Sequence, residues 1–223
     1  MKIGIIAAMP VEIDLLLENC TVERQENHFD RTVHIAKFGE NELFIGVSGI
    51  GKTNAASFTQ LLVDKYEIEI VMNTGIAGSL VPWLDTLSIV IANNLFHHDF
   101  PDKILEGTYP GLKKFPTDVD LCRLALDSIP DGTRVEIEGI ASGDDFINSS
   151  EKKLNIAKKT SALACDMESA AIAQVAYACG IKTLIIRAIS DGADENAEAT
   201  YENFEEAAAK LSVQVLLGVL RKM

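Results

Sequence analysis

Three acidic residues stand where an α/β chain gathers its chemistry. Glu12 falls in the first turn of the helix after the first strand. Glu168 falls in the first turn of the helix after Ala164-Cys165-Asp166, and Asp191 directly follows the apolar run ending Ile189-Ser190. Strand carboxyl ends and helix N-termini are the places at which such folds collect ligands. Each residue alone has an ordinary reading, because a Glu in a first turn complements the helix dipole and an Asp after a strand starts a turn. Three at equivalent topological positions, beside Gly-rich turns, are harder to explain that way.

Two further patterns compete for attention. Gly46-Val47-Ser48-Gly49-Ile50-Gly51-Lys52-Thr53 matches the phosphate-loop pattern GxxxxGK[ST] letter for letter. A working loop of that kind follows a buried strand and is served by a second apolar strand ending in Asp. Here Gly46 lies inside its extended run and Ile68 to Met72 ends in Asn73, so a tight turn lining another pocket fits better. In that reading Lys52 contributes only local packing. A phosphate-loop NTPase is the alternative of another class, and a nucleoside-binding protein without turnover is a third. His97-His98-Asp99 is no metal centre by this reading, since adjacent strand residues face opposite ways and no third ligand has suitable spacing.

The elements that must position these residues follow from periodicity. Strands are expected over Lys2 to Ala7, Thr32 to Phe38, Glu42 to Val47, Ile68 to Asn73, Leu87 to Ala92, Arg134 to Ala141 and Thr183 to Ser190. Helices are expected after Pro10, over Lys52 to Tyr66, Asp118 to Ser128, Ser149 to Thr160, Met167 to Cys179 and Thr200 to Leu220. Asn93 to Thr117, with three prolines and two glycines, reads as a long loop without regular structure. The sum is one α/β domain over residues 1–223, three-layer α/β/α, with a largely parallel or mixed central sheet.

Composition narrows the partners. The chain has 223 residues, 48% of them hydrophobic, and a formal net charge of −13. An acidic surface without clustered Lys and Arg excludes a phosphate-tracking, nucleic-acid-binding role. Four single cysteines without CxxC spacing read as reduced core residues, and no apolar run approaches the roughly 20 residues of a membrane helix. The expected compartment is the cytoplasm.

Six motifs in order, Ala7-Ala8-Met9-Pro10-Val11-Glu12, Ser48-Gly49-Ile50-Gly51-Lys52, Asn73-Thr74-Gly75-Ile76-Ala77-Gly78, Ser142-Gly143-Asp144-Asp145-Phe146-Ile147, Asp166-Met167-Glu168-Ser169-Ala170 and Arg187-Ala188-Ile189-Ser190-Asp191, resemble those of 5′-methylthioadenosine/S-adenosylhomocysteine nucleosidases. The resemblance implies the purine nucleoside phosphorylase-like fold, a homodimer, and no cofactor or metal. It implies that Glu12 activates water, that Asp191 protonates adenine at N7, and that Glu168 holds the ribose hydroxyls. Phe146 would stack on the purine, with the Ile147 backbone on the base edge and Met167 against the ribose. Gly78 and Arg187 would line the site, and Met9, Ile50 and Tyr201 or Phe204 would receive the 5′ substituent. The implied substrates are 5′-methylthioadenosine and S-adenosylhomocysteine, with 5′-deoxyadenosine as a further one, in the setting of methionine salvage. Ala8-Met9-Pro10-Val11-Glu12 replaces the Arg-containing turn of related phosphorylases, and a carboxylate there suits water better than phosphate. The segment Asn93 to Thr117 keeps a His-Asp pair but lacks most of the family's Phe-Gly-Tyr-Gly-Gln run, so futalosine hydrolysis stands as the sister alternative.

Overall fold

In the computed structural model, which describes residues 1–223, one mixed sheet of ten strands organises the chain. β1 (Lys2–Ala7) lies between β4 (Asn41–Val47) and β5 (Ile70–Ser79), parallel to both. Its alternate side chains serve opposite faces, Ile3, Ile5 and Ala7 one core and Ile6 the other, as a strand covered on both sides requires. β3 (Arg31–Phe38) and β2 (Thr21–His28) extend the sheet antiparallel beyond β4.

The other end of the sheet closes on itself. β10 (Lys182–Asp191) pairs with β5 on one side and β6 (Ile89–His97) on the other. β6 pairs with β8 (Val135–Ser142), β8 with β9 (Ala164–Asp166), and β9 returns to the end of β5 at Gly78 and Ser79. Five strands therefore form a circuit, in which β5 and β10 run one way and β6, β8 and β9 the other.

Helices cover both faces. α1 (Asp14–Glu18), α4 (Val119–Leu126) and α7 (Ala197–Lys222) pack on one face, with Val213, Leu216 and Leu220 of α7 in the same core as Ile3, Ile186 and Leu121. α2 (Lys52–Tyr66) and α6 (Ser169–Cys179) pack on the other, where Phe58, Leu62 and Ile172 meet Ile6 and Ile185. α5 (Ser150–Thr160) covers β8 with a smaller apolar cluster around Ile147, Ile156 and Cys165. No helix is long and apolar enough to cross a membrane.

Several elements differ from the sequence reading. β2 is a strand although Thr21–His28 is almost wholly polar, because it pairs along its length with β3, and its Glu26 and His28 also reach Tyr66 of α2. β5 runs on to Ser79, six residues beyond the strand end expected at Asn73. Asn93 to Thr117 is not a bare loop: β6 continues to His97, α3 spans Asp102–Gly107, and β7 (Lys114–Pro116) pairs with β6. Pro101 sits just ahead of α3 and Pro116 ends β7, so these prolines mark element ends rather than irregularity.

Candidate active site

Glu12 sits where the chain leaves β1. Pro10 opens a single 3-10 turn, Pro10–Glu12, that folds the side chain back over the strand end rather than into a regular helix. Its carboxylate is almost fully enclosed, 3% exposed. Oε2 accepts the N–H groups of Ala8 at 2.8 Å and Met9 at 2.9 Å, and Oε1 accepts that of Ile76 at 3.2 Å. Burial pushes this carboxyl above its ordinary range, opposed by the Arg187 charge and the three amide bonds. A Cβ at residue 75 would lie 2.5 Å from Glu12 Oε1, so only Gly75 lets β5 approach this closely.

Asp191 ends β10, just past a register irregularity between Ile189 and Asp191 that turns the strand terminus. Oδ1 accepts the Ala193 N–H and Oδ2 the Ser190 hydroxyl, both at 2.8 Å. Burial is again the main cause holding this carboxyl above its usual range, with Asp194 adding to it against those bonds and Lys153. A Cβ at Gly78 would lie 2.8 Å from Asp191 Oδ1.

Glu168 is the N-cap of α6, carried there by the three residues of β9. Its Oε1 accepts the Gly51 N–H at 2.8 Å, across from the start of α2. Burial, then the neighbouring Asp166 charge, pushes it up to about 7. Beneath it Asp166 Oδ2 meets Arg187 Nε at 2.9 Å, and the two side chains are 1% and 2% exposed. Ser142 and Ser169 donate their hydroxyls to Asp166, while Arg187 also reaches Asn73 Oδ1. Asn73 Nδ2 in turn donates to the Ile6 carbonyl at 2.7 Å.

These groups surround a cavity of about 370 Å³, inside the roughly 300–1,000 Å³ range of small-molecule sites. Met9, Glu12, Ile50, Gly78, Phe146, Ile147, Met167, Glu168, Asp191 and Tyr201 all line it. Two residues singled out from sequence do not. Arg187 lies under the floor, where its guanidinium is consumed by Asp166 and Asn73, and Phe204, one turn beyond Tyr201 on α7, is not part of the wall. Asp166, Ile76 and the mouth carboxylates Asp145, Glu198 and Glu202 also line the cavity, though the sequence reading gave them no role. For Asp166 a signal existed: an arginine in the apolar strand Thr183 to Ser190 requires a buried counter-charge.

The GxxxxGK[ST] residues are committed elsewhere. The Gly51 amide serves Glu168, the Lys52 amide meets Asp144 Oδ1 at 3.0 Å, and Lys52 Nζ lies 2.5 Å from Asp99 Oδ1. Carboxylates of the protein occupy the places a phosphate would take. Lys52 thus does more than pack locally. His97 Nε2 pairs with Gln174 Oε1 at 2.8 Å.

A mixed sheet closed at one end, with amide-held carboxylates around a concave site at its strand termini, defines an α/β protein with a small-molecule site. The family model of the phosphorylase superfamily matches residues 2–221. A 5′-methylthioadenosine/S-adenosylhomocysteine nucleosidase from an Exiguobacterium species is 32% identical over 100% of this chain and 99% of its own length. An aminodeoxyfutalosine nucleosidase from Campylobacter jejuni is 33% identical over the full length of both. The crystal structure of the Neisseria meningitidis 5′-methylthioadenosine/S-adenosylhomocysteine nucleosidase in complex with methylthio-immucillin-A superposes with a TM-score of 0.93 at 32% identity, covering 100% of this chain and 99% of that one. The chain belongs to the phosphorylase superfamily and, within it, to the 5′-methylthioadenosine/S-adenosylhomocysteine nucleosidase family.

Two outcomes follow from the buried charges. Asp166→Ala strands the Arg187 guanidinium without its counter-ion, and unfolding by denaturant should show a loss of about 3–5 kcal/mol; a loss below about 1 kcal/mol would mean that water reaches the pair. Between the ordinary glutamate value of 4.5 and about 7 the folded protein retains a proton on Glu168 that the unfolded chain has released. The stabilisation is therefore complete below the lower value and is lost as pH rises through the upper one. Melting temperature should fall as pH rises across that window, and more shallowly in Glu168→Gln; an unchanged slope in the variant would assign the dependence to other groups.

Proposed function

We propose that this protein hydrolyses the N-glycosidic bond of 5′-methylthioadenosine and S-adenosylhomocysteine, releasing adenine and the 5′-substituted ribose. The observation that carries this reading is one cavity shared by two separately anchored, buried carboxyls, Glu12 and Asp191, and by the side chains of Met9, Ile50 and Tyr201.

Adenine is a poor leaving group, so the C1′–N9 bond breaks readily only if the charge flowing into the ring is neutralised as it develops. Asp191, held above its usual range by burial, gives its proton to N7 and is left as a carboxylate stabilised by the Ala193 N–H and the Ser190 hydroxyl. The sugar carbon becomes oxocarbenium-like. Water attacks it on the opposite face and loses its proton to Glu12, in the manner of inverting glycosidases. The amides of Ala8, Met9 and Ile76 stabilise the ionised Glu12 that this step requires. Glu168 accepts the ribose hydroxyls, Phe146 stacks on the purine, and the Ile147 backbone meets the base edge. Because Glu12 must be ionised and Asp191 protonated, activity falls on both sides of a pH optimum.

Water rather than phosphate is the second reactant. Seven lining residues are carboxylic, Glu12, Asp145, Asp166, Glu168, Asp191, Glu198 and Glu202, and none is Lys, Arg or His. A phosphate dianion finds no counter-charge there. The mouth carboxylates bear equally on the second reading, an aminodeoxyfutalosine-type substrate like that of the Campylobacter jejuni relative. They favour neutral or cationic 5′ groups over anionic ones. The protein works in the cytoplasm as a homodimer, with Phe100, Ile104 and Tyr109 as exposed apolar side chains for the contact.

Incubation with a panel of 5′-modified adenosines in phosphate-free buffer should yield free adenine and free thioribose from the neutral thioethers. Glu12→Gln and Asp191→Asn should each lower kcat about a hundredfold or more while the fold persists; a near-native rate in either would remove that residue from the chemistry. Light scattering at micromolar concentration should return a dimer mass, and a monomer would contradict the assembly.

A further inference from the structure

The segment after β6 carries a charged residue that touches nothing in the cavity yet ties two of its walls together. Asp99 Oδ1 lies 2.5 Å from Lys52 Nζ, and Asp99 Oδ2 accepts the Asp144 N–H at 3.0 Å. Asp144 closes the ring, since its Oδ1 accepts the Lys52 N–H at 3.0 Å and its Oδ2 lies 3.7 Å from Lys52 Nζ. One residue before Lys52, the Gly51 amide holds Glu168. Two residues after Asp144, Phe146 forms the opposite wall.

The ring is itself anchored. Lys159 of α5 donates to the carbonyls of His98, at 2.9 Å, and Phe100, at 3.0 Å, gripping the chain on either side of Asp99. The His98 ring packs so closely on Gly143 that no Cβ fits there, which sets the start of the Gly143–Ile147 turn against the end of β6. Lys52 is only 15% exposed on its side chain, so its ammonium is far less free than that of a surface lysine. Burial alone would raise the Asp99 carboxyl, but the Lys52 and Asp144 hydrogen bonds together bring it below its ordinary range.

Building on the nucleosidase reading above, we propose that Lys52 and Asp99 are a positioning pair, which fixes the spacing between the sugar-binding Glu168 and the purine-binding Gly143–Ile147 turn and so sets affinity for the nucleoside. The GxxxxGK[ST] lysine thereby finds its use: it binds a carboxylate of its own chain instead of a nucleotide. Glu168 and Phe146 act on bound substrate together, so loosening either wall weakens binding more than it slows bond cleavage.

The test is steady-state kinetics of wild type, Lys52→Met, Asp99→Asn and the double variant on 5′-methylthioadenosine, with melting temperatures for each. Each single variant should raise KM about three- to tenfold with kcat within about threefold, and the double variant should be no worse than the poorer single. Lys52→Arg, which keeps the charge, should recover most of the affinity. An unchanged KM in the single variants, or single effects that multiply in the double, would overturn the proposal. Hydrogen exchange on the ligand-free proteins supplies a readout independent of turnover: the Gly51 and Asp144 amides should exchange faster in Asp99→Ala while core amides do not. Unchanged protection at both amides would equally overturn it. A wild type that cleaves no 5′-thioether adenosine would instead refute the nucleosidase reading, leaving the exchange result to decide whether the two walls are coupled.

Discussion

The ion pair between Arg187 and Asp166 is the contact on which the site rests. An unpartnered guanidinium in the middle of a covered strand would be too costly to keep, so β9 must deliver Asp166 to β10. That requirement draws in Asn73 of β5, Ser142 of β8 and Ser169 of α6, each bonded to one member of the pair. The elements around the strand circuit are thereby pinned at the level where the cavity floor lies. Glu168 follows Asp166 by two residues, and Asp191 follows Arg187 by four along the same strand. Arg187 also opposes the charge of Glu12 and Glu168 from below. A lone cation under the floor lets several carboxylates share a confined space without facing the substrate itself.

Glu12 and Asp191 are anchored by different local structure. Both are buried. Glu12 is held by three backbone amides supplied by a 3-10 turn and by the close approach of β5 at Gly75. Asp191 has one amide and one hydroxyl, at a strand end bent by an irregularity in register. More backbone donors oppose the effect of burial at Glu12 than at Asp191, and the net direction is upward for both.

How much of this was legible beforehand depended on what kind of signal each residue carries. The apolar strands Lys2–Ala7 and Lys182–Asp191 and the helices over Lys52–Tyr66 and Ser150–Thr160 announce themselves by period and by the residues at their ends. Glu12, Glu168 and Asp191 were visible because they follow strands beside glycines. β2 was not, since its residues carry no apolar alternation and it is held as a strand by pairing with β3, the next strand of the same hairpin. Asp166 was hidden by its role, which is defined by a partner 21 residues away. Lys52 was read as contributing only local packing, because its ligand, Asp99, comes from a segment that local signals describe poorly.

The polar character of β2 has a consequence for how molecules of this protein meet one another. Because one end of the sheet bites its own tail, β2 is its long free border, a row of backbone groups able to accept a strand from a second molecule. Glu23, Arg24, Gln25, Glu26 and Asn27 occupy that border, and a foreign strand laid along it would have to strip water from charges without offering them partners. The same residues that make β2 hard to find in the sequence keep the folded protein from templating fibrillar stacks when it is crowded.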